Sequence, residues 1–488
     1  MRQGALSGYV DLCWRASDLL AAVARAREFA ARDGWSRERL SLYQRQRLLR
    51  LVRHARSRSQ FYRKLYDGIA LGDDLDFSSL PVVNKRVLME NFNAVVTDPR
   101  LRLDALQQHL ANLHGDDCYL GQYRVVATAG TSGLRGVFVY DREAWRIILA
   151  NTLRWHRFIG IRPRLPRRIR ICSIGADNSM HVSNRIPVSG DVGLFRLMPI
   201  KATESLGRQV ALLNAFQPDV LLPYASVAAL LAREQIDGRL AIHPRVVATH
   251  SELLTAEMTM LIERAWGNRP FNHYGLTEEP HVGSDCALHE GIHLFEDTTM
   301  IEVVDDEYRR VRDGQMGTRF LLTNLYNLVQ PLIRYDITDM LCLSEQPCGC
   351  GRPFALIKSV GGRAEDMLTL ARADGTGDIA VSPMVVTLAV ESFLGIREYM
   401  ADHGPEGIRL FLVLADDGDR QRIETELPQR LHGDLERQGA IMPTLTISFV
   451  DALDRSAQRM GKISLVERRH ETVALPSRTE PAGANIAS

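Results

Sequence analysis

The stretch Ala127-Thr128-Ala129-Gly130-Thr131-Ser132-Gly133-Leu134-Arg135-Gly136 gathers glycines and hydroxyls into one turn between two apolar runs, the second being Val137-Phe138-Val139-Tyr140. Glycine permits positive φ and lets the backbone approach an anion closely, while Thr and Ser hydroxyls and exposed backbone N–H groups bond phosphate oxygens. Two readings stand at this point: a phosphate-handling loop, or an ordinary β-hairpin turn, since Gly/Ser/Thr clusters between strands are common turns. A Walker A loop is excluded, because the Gly-Lys-Ser/Thr ending that puts a lysine on the terminal phosphates is missing.

Outward from this loop the chain alternates. Residues 141 to 159 have a helical pattern, and Arg168-Ile169-Arg170-Ile171-Cys172-Ser173-Ile174 reads as a strand ending at Gly175. Strands are expected at Asp219 to Leu222, Val246 to Thr249 and Phe271 to Tyr274, separated by helices at 203 to 215, 226 to 235 and 255 to 266. Such alternation argues for α/β layers with a largely parallel sheet, whose ligands bind beyond the carboxyl ends of the strands. Residues 299 to 360 change to short strand-like runs and read as a mostly β subdomain. From about 366 to 475 a small α+β domain follows, with a helix at 420 to 436. Before the loop, residues 40 to 66 read as one basic amphipathic helix carrying Arg45, Arg47, Arg50, Arg53, Arg56 and Arg58. That face is either solvated or meets an anionic partner such as the phosphates of coenzyme A.

A chain of 488 residues exceeds one ordinary core and implies several domains or subdomains. With 45% hydrophobic and 24% charged residues and a formal net charge of +1, it has the composition of a soluble globular protein and not of a general nucleic-acid or membrane-surface binder. Asp11, Arg15 and Asp18 interrupt the first apolar stretch, so no signal peptide is expected, and no run approaches a membrane span of about 20 apolar residues. Seven scattered cysteines fit a reducing, cytoplasmic setting better than a disulfide framework. The end of the chain, 476 to 488, is rich in Pro, Ala, Ser and charge, and is expected to be a disordered tail.

Four further stretches fall at strand ends or at the presumed domain boundary: Asn272-His273-Tyr274-Gly275-Leu276-Thr277-Glu278, Ile333-Arg334-Tyr335-Asp336-Ile337-Thr338-Asp339, Gly361-Gly362-Arg363-Ala364-Glu365-Asp366 and Arg459-Met460-Gly461-Lys462-Ile463. Each alone is weak, since Tyr-Gly is a common turn, Arg and Asp often form structural salt bridges, and Gly-Lys is frequent on surfaces. In this order and at these separations, the set resembles the core motifs of the adenylate-forming superfamily, and most closely the phenylacetate–coenzyme A ligase family. The resemblance runs from Gln60-Phe61-Tyr62-Arg63 through Thr249-His250-Ser251-Glu252 and Pro331 to Asp336, on to Lys462.

That resemblance implies a large N-terminal adenylating domain over 1–364, of layered α/β sheets with a β subdomain, and a small, mobile α+β C-terminal domain over 365–475. It implies an AMP-forming acid–thiol ligase: ATP and Mg²⁺ activate a carboxylic acid, aryl or arylacetic, as an acyl-adenylate, and the acyl group passes to coenzyme A. An amine or carrier-protein thiol as acceptor, and a catalytically inactive nucleotide-binding homologue, are the alternatives. By the same resemblance Glu278 holds Mg²⁺ and Thr277 bonds the α-phosphate. Asp339 accepts the ribose hydroxyls, and Arg363 adds a charge-assisted contact on the ribose or phosphate side. Lys462 bridges carboxylate and α-phosphate in the first half-reaction, and Glu365 stands at the hinge. Thr128, Gly130, Thr131, Ser132, Gly133 and Arg135 form the clamp over the β- and γ-phosphates, and Tyr274, Gly275 and Arg334 complete the nucleotide site. A homodimer is a possible assembly.

The chain departs from the family at two places. Leu134-Arg135-Gly136 stands where members carry a Lys-Pro or similar pair, and Arg135 is left to supply the cation. Thr338 replaces a glycine; a β-branched residue is costly at positive φ, so either the backbone is ordinary there or the ribose site is distorted.

A second signal is Cys348-Gly349-Cys350-Gly351 with Cys286, His289 and His293 upstream. Thiolates and imidazole from two separated segments are what structural zinc requires; buried free cysteines are the alternative. Some members of the family carry an upstream Cys and a His after Gly-Leu, matched here by Gly291-Ile292-His293. On that basis Cys286, His293, Cys348 and Cys350 form the expected set, with His289 as the substitute ligand. His181, His250 and His273 are ordinary structural histidines as readily as acyl-site groups. Ser132 and Ser251 lack a His or Asp partner at a recognisable spacing, so a hydrolase triad is not supported.

Overall fold

The computed structural model describes residues 2–128, 136–162, 167–175, 180–191, 193, 195–202, 204, 206–363, 368–381, 384–391, 393, 395–404, 406–414, 419–437, 439–451 and 466–468. It is a mixed α/β protein that divides into two compact units, the second beginning at Leu368. The tail expected at 476 to 488 lies outside the described residues.

The first unit opens with helices Arg2–Arg32, Arg37–Arg58 and Gln60–Leu65. The single helix expected over 40 to 66 is broken at Ser59, whose extended backbone ends one helix while its Oγ accepts from Tyr62 N and starts the next. Its arginines are largely spent on the scaffold. Arg45 donates to the Asp73 and Leu75 carbonyls, Arg53 to Leu71 O and the Asp73 carboxylate, Arg56 to Ile69 O, and Arg47 to Leu325 O. These four cations fasten chain segments that have no regular partners, so the anionic-partner reading of this face loses most of its donors.

Strands β1 (Arg124–Ala127) and β2 (Val137–Tyr140) pair antiparallel as the arms of a hairpin, and all eight strand residues are buried. Its mouth is closed by Thr128 N donating to Gly136 O and Gly136 N donating to Thr128 Oγ1, both at 2.9 Å. The helix Arg142–Phe158 follows, capped by Asp141, whose carboxylate accepts from Ala144 N at 2.7 Å. It buries Trp145, Ile148, Leu149 and Phe158, and also Arg154, which is held between Asp33 and Asp297 at 2.7 Å from each. A buried cation of this kind is tolerated only because both carboxylates satisfy it.

From there the expected alternation is present: β3 (Arg170–Gly175), β4 (Arg196–Lys201), β5 (Val220–Pro223), β6 (Val246–His250) and β7 (Phe271–Tyr274) are parallel, linked by helices that include Leu206–Phe216, Ala225–Ile236 and Ala256–Trp266. The sheet then turns antiparallel through β8 (Gly283–Ser284) and β9 (Ile292–Leu294). Strands β10 (Thr299–Val304), β11 (Arg319–Asn324) and β12 (Tyr335–Ile337) make a separate three-stranded sheet. The β character expected over 299 to 360 is therefore real but divided, because β13 (Asp339–Leu343) and β14 (Leu356–Arg363) return to the main sheet. Its nine strands run β13-β14-β9-β8-β7-β6-β5-β3-β4. The order reverses between β3 and β5, which places a crevice beyond Gly175 and Pro223, the position where open α/β sheets take ligands.

The second unit holds the hairpin β15 (Leu368–Ala371) and β16 (Asp378–Val381), and a four-stranded sheet. That sheet is made of β17 (Ile396–Gly404), β18 (Gly407–Leu414), β19 (Leu445–Phe449) and β20 (Val466–Arg468), in the order β19-β18-β17-β20. The helix Arg420–Arg437 buries Ile423, Leu427, Leu431 and Leu435, a stripe at four-residue spacing, in this unit's own core.

Candidate active site

Strand β7 ends at Tyr274, and the turn that follows carries Gly275, Thr277 and Glu278. Leu276 N donates to Glu279 O at 2.8 Å and closes the turn. Gly275 is required by space: a Cβ there would lie 2.2 Å from the Pro280 carbonyl oxygen. Gly275→Ala is therefore expected to push Pro280 away, at a cost of about 1–3 kcal/mol for a small overpacking. Activity should fall more than stability, as measured by thermal melting beside the exchange assay described below; a variant with unchanged activity would show that this turn can shift freely.

Thr277 and Glu278 are buried, with 9% and 6% exposure, yet their backbone is held from outside the turn. The Tyr140 hydroxyl, from the last residue of β2, donates to the carbonyl oxygens of Thr277 at 2.8 Å and Glu278 at 2.9 Å. This hydroxyl ties the hairpin that carries Thr128 to the turn that carries Thr277 and Glu278. Glu278 Oε1 lies 3.4 Å from the hydroxyl of Tyr335 in β12. Two of the separated motifs therefore converge on one carboxylate.

Tyr274 also reaches across the sheet. Its hydroxyl donates to Asp339 Oδ2 at 2.7 Å, although three strands lie between β7 and β13 in the order of the sheet. Asp339 opens β13 directly opposite Arg363 in β14, so the two positions are paired in backbone register. The Thr338 question has a plain answer. Among the described residues, positive φ outside glycine occurs only at Leu120, Gln217, Ser251, His289, Tyr308 and Arg334. The backbone at Thr338 is ordinary, and its β-branched side chain is not strained there.

Arg334 has φ of 47°, and its guanidinium donates to Glu302 at 3.1 Å and to the carbonyl oxygens of Ser78 and Leu80. These donors pin the segment around Leu80 to β10, next to the Val83–Tyr335 bridge. These contacts give Arg334 a scaffold role. Gly130, Thr131, Ser132, Gly133, Arg135, Glu365 and Lys462, and the side chain of Arg363, lie outside the described residues.

Sequence reasoning missed both Tyr140 and Glu279, the latter wholly buried at the end of the turn. Tyr140 sits at the end of an apolar run and reads as core, and its partners are more than a hundred residues away. His181 and His273 resolve as structural groups. His181 Nδ1 accepts from Ser183 N at the start of helix Val182–Gly190. His273 is buried in a chain with His281 and Thr152, and burial holds it well below the usual histidine range. His250 packs edge-on to Tyr224, with ring centroids 5.3 Å apart, at the mouth of the crevice.

A second cluster joins Cys286, just after β8, and His293 of β9 to the 348–350 turn. One ligand atom each from Cys286, His293, Cys348 and Cys350 falls within 4.8 Å of all the others, the one such set among the described residues. Around a tetrahedral zinc, bonds of about 2.3 Å to sulfur and 2.0–2.1 Å to nitrogen fix the S···S edge at about 3.8 Å and the S···N edge at about 3.5 Å. Cys286 Sγ and Cys348 Sγ are 3.8 Å apart, and Cys350 Sγ is 3.5 Å from His293 Nε2. His293 is the imidazole of this set, and His289, whose Nδ1 lies 2.6 Å from Asp285 Oδ2, is not part of it. Burial and the nearby Arg352 lower the His293 pKa to about 4, which keeps the ring in the neutral form that ligates metals.

No family model matches the chain. It is 26% identical over 357 residues to a phenylacetate–coenzyme A ligase of Thermus thermophilus, covering 68% of this chain and 72% of the relative. A phenylacetate–coenzyme A ligase of Escherichia coli is also 26% identical over 363 residues, with coverages of 68% and 73%. In fold, the chain matches a crystal structure of 2-hydroxyisobutyryl-CoA ligase in the postadenylation state in complex with R3-HIB-AMP. The TM-score is 0.69 at 20% sequence identity, and 90% of this chain and 91% of that one are covered. The chain is thus similar in sequence to phenylacetate–coenzyme A ligases and shares the fold of the 2-hydroxyisobutyryl-CoA ligase.

Proposed function

We propose that this chain activates a carboxylic acid with ATP and transfers the acyl group to coenzyme A. One observation carries the reading: the Tyr140 hydroxyl joins the glycine- and hydroxyl-bearing hairpin to the turn of Thr277 and Glu278. A carboxylate and a triphosphate are both anions, so the first task of such a site is to hold them in line against their repulsion. A carboxylate oxygen forms a bond to the α-phosphorus while the bond to the bridging oxygen breaks, and pyrophosphate leaves. In the second step a thiol sulfur bonds the acyl carbon and AMP departs.

The chain's own groups divide this work. The hairpin loop, with Thr128 at its root, takes the outer phosphates. Thr277 donates to the α-phosphate, and Asp339, steadied by the Tyr274 hydroxyl at 2.7 Å, accepts from the ribose. Glu278 offers the hard oxygen ligand that Mg²⁺ prefers; the ion, when bound, neutralises phosphate charge. Arg363, at the backbone register position opposite Asp339, is the cation proposed for the ribose side. The acid lies in the crevice at the strand-order reversal, where the Tyr224 and His250 rings suit an aryl or arylacetic acid, as do the names of the relatives. The direct test incubates purified protein with ATP, Mg²⁺ and a panel of carboxylic acids and follows acid-dependent exchange of labelled pyrophosphate into ATP. Absence of exchange with every acid sinks the proposal; exchange followed by thioester formation on adding coenzyme A supports it.

For the cysteine cluster, the fitting edge lengths and the neutral imidazole favour a structural zinc that pins β9 to the 348–350 turn. Protein purified without chelator is expected to carry about one equivalent of zinc, and Cys348→Ser to lose it together with at least about 2 kcal/mol of stability. Less than about half an equivalent in the wild type would sink the site.

A further inference from the structure

A continuous chain of buried polar side chains runs from the Glu278 turn to the outer edge of the hairpin. Glu279, fully buried, accepts from Asn324 Nδ2 at 2.8 Å through one oxygen and lies 3.0 Å from the Tyr326 hydroxyl through the other. Asn324 Oδ1 accepts from the backbone N–H groups of Tyr326 and Asn327, at 3.1 and 2.9 Å. Asn327 Nδ2 in turn donates to Val139 O at 2.9 Å. Gln330 completes the contact, accepting from Val139 N at 2.8 Å and donating to Val137 O at 3.0 Å. Its amide acts as a neighbouring strand would, sealing the free edge of β2. All five side chains belong to residues with 5% exposure or less.

Nothing in the packing alone requires this. An apolar filling of the same volume would be at least as stable, because a buried polar network stabilises only when each member is satisfied. What the network adds is register. It fixes the turn that carries Thr277 and Glu278 against β2 by a route separate from Tyr140, and both ends of the route lie beside residues assigned to the nucleotide. We propose that Glu279, Asn324, Asn327 and Gln330 are positioning residues that couple the phosphate hairpin to the Thr277–Glu278 turn, so that neither binds its part of MgATP well without the other. The inference rests on the reading of these two elements as one nucleotide site. Burial pushes the Glu279 carboxyl up to about 8, so near neutral pH it is uncharged and adds no repulsion behind Glu278.

The test measures KM for ATP and for acid in the exchange assay for E279A, E279Q, Q330A and the E279A/Q330A pair, with thermal melts on each. E279A and Q330A are each expected to raise KM for ATP by about five- to tenfold, the scale of one or two lost hydrogen bonds. KM for acid should change by less than about twofold, and E279Q, a neutral isostere that satisfies Asn324 and Tyr326, should restore KM for ATP to within about twofold of wild type. Because the two residues act through one route, the double variant should be little worse than the worse single one. Multiplicative effects, an E279Q as impaired as E279A, or equal changes in both KM values would overturn the coupling. If E279A does not fold, Tyr326→Phe, which keeps the ring and removes one contact to Glu279, must show the same ATP-selective change or the proposal fails. A wild-type protein that exchanges with no acid fails the adenylation reading instead; equilibrium MgATP binding by the same variants then decides the coupling, with the same fold-changes expected in Kd.

Discussion

Glu278→Gln lowers acid-dependent pyrophosphate exchange by on the order of 10²–10³-fold, the scale of losing one preorganised charged group at a phosphoryl centre. The substitution is close to isosteric, and what fixes the turn is untouched by it. Tyr140 bonds to the backbone carbonyls of residues 277 and 278, and the closing bond runs from Leu276 N to Glu279 O. The melting temperature should therefore stay within about 2 °C of wild type, as for a change well under 1 kcal/mol. What is lost is a negative oxygen ligand in a site with little access to water, since Glu278 is 6% exposed. Raising Mg²⁺ should recover part of the rate by mass action if the carboxylate holds the ion. A rate within about threefold of wild type, which is under 1 kcal/mol, would remove Glu278 from the centre of the chemistry.

Much of this site was legible in the sequence because its parts are local. Phe271 to Tyr274 reads as a strand and is one, residue for residue, and the helix expected over 141 to 159 runs Arg142–Phe158. Period-2 and period-3.6 patterns survive in a single chain because each element buries one face. Long-range polar contacts leave no such trace. Asp18 seemed to interrupt an apolar stretch, yet it lies 4% exposed inside the first helix's contact with its neighbours, satisfied by Arg124, Arg142 and Arg146. The break at Ser59 depends on a hydroxyl that also donates to Ala94 O, which no window around residue 59 contains. Arg334 shows a related limit: its sequence neighbours point to the nucleotide, while the carbonyl oxygens that take its protons come from Ser78 and Leu80. The cysteine–histidine cluster was half legible: spacing could not separate His289 from His293, and only the fold brings His293 to the three cysteines.

The second large effect concerns Lys462, which lies outside the described residues and whose role rests on the motif Arg459 to Ile463. Two anions must meet in the first half-reaction, and a cation placed between them lowers the barrier by offsetting their charge. In the second half-reaction the acid is already a neutral acyl group joined to AMP, so the same cation has nothing to bridge. Lys462→Ala is therefore expected to lower adenylate formation by at least about 10²–10³-fold and to leave thioester formation from supplied acyl-adenylate within about threefold of wild type. The two rates are measured separately, by pyrophosphate exchange and by AMP release from synthetic acyl-adenylate with coenzyme A. Equal losses in both would mean that Lys462 serves a step common to the two halves, such as holding the AMP moiety. The contrast with Glu278→Gln then becomes diagnostic. Added Mg²⁺ should rescue the glutamate variant in part and the lysine variant not at all, because only the first loses its hold on a diffusible ion.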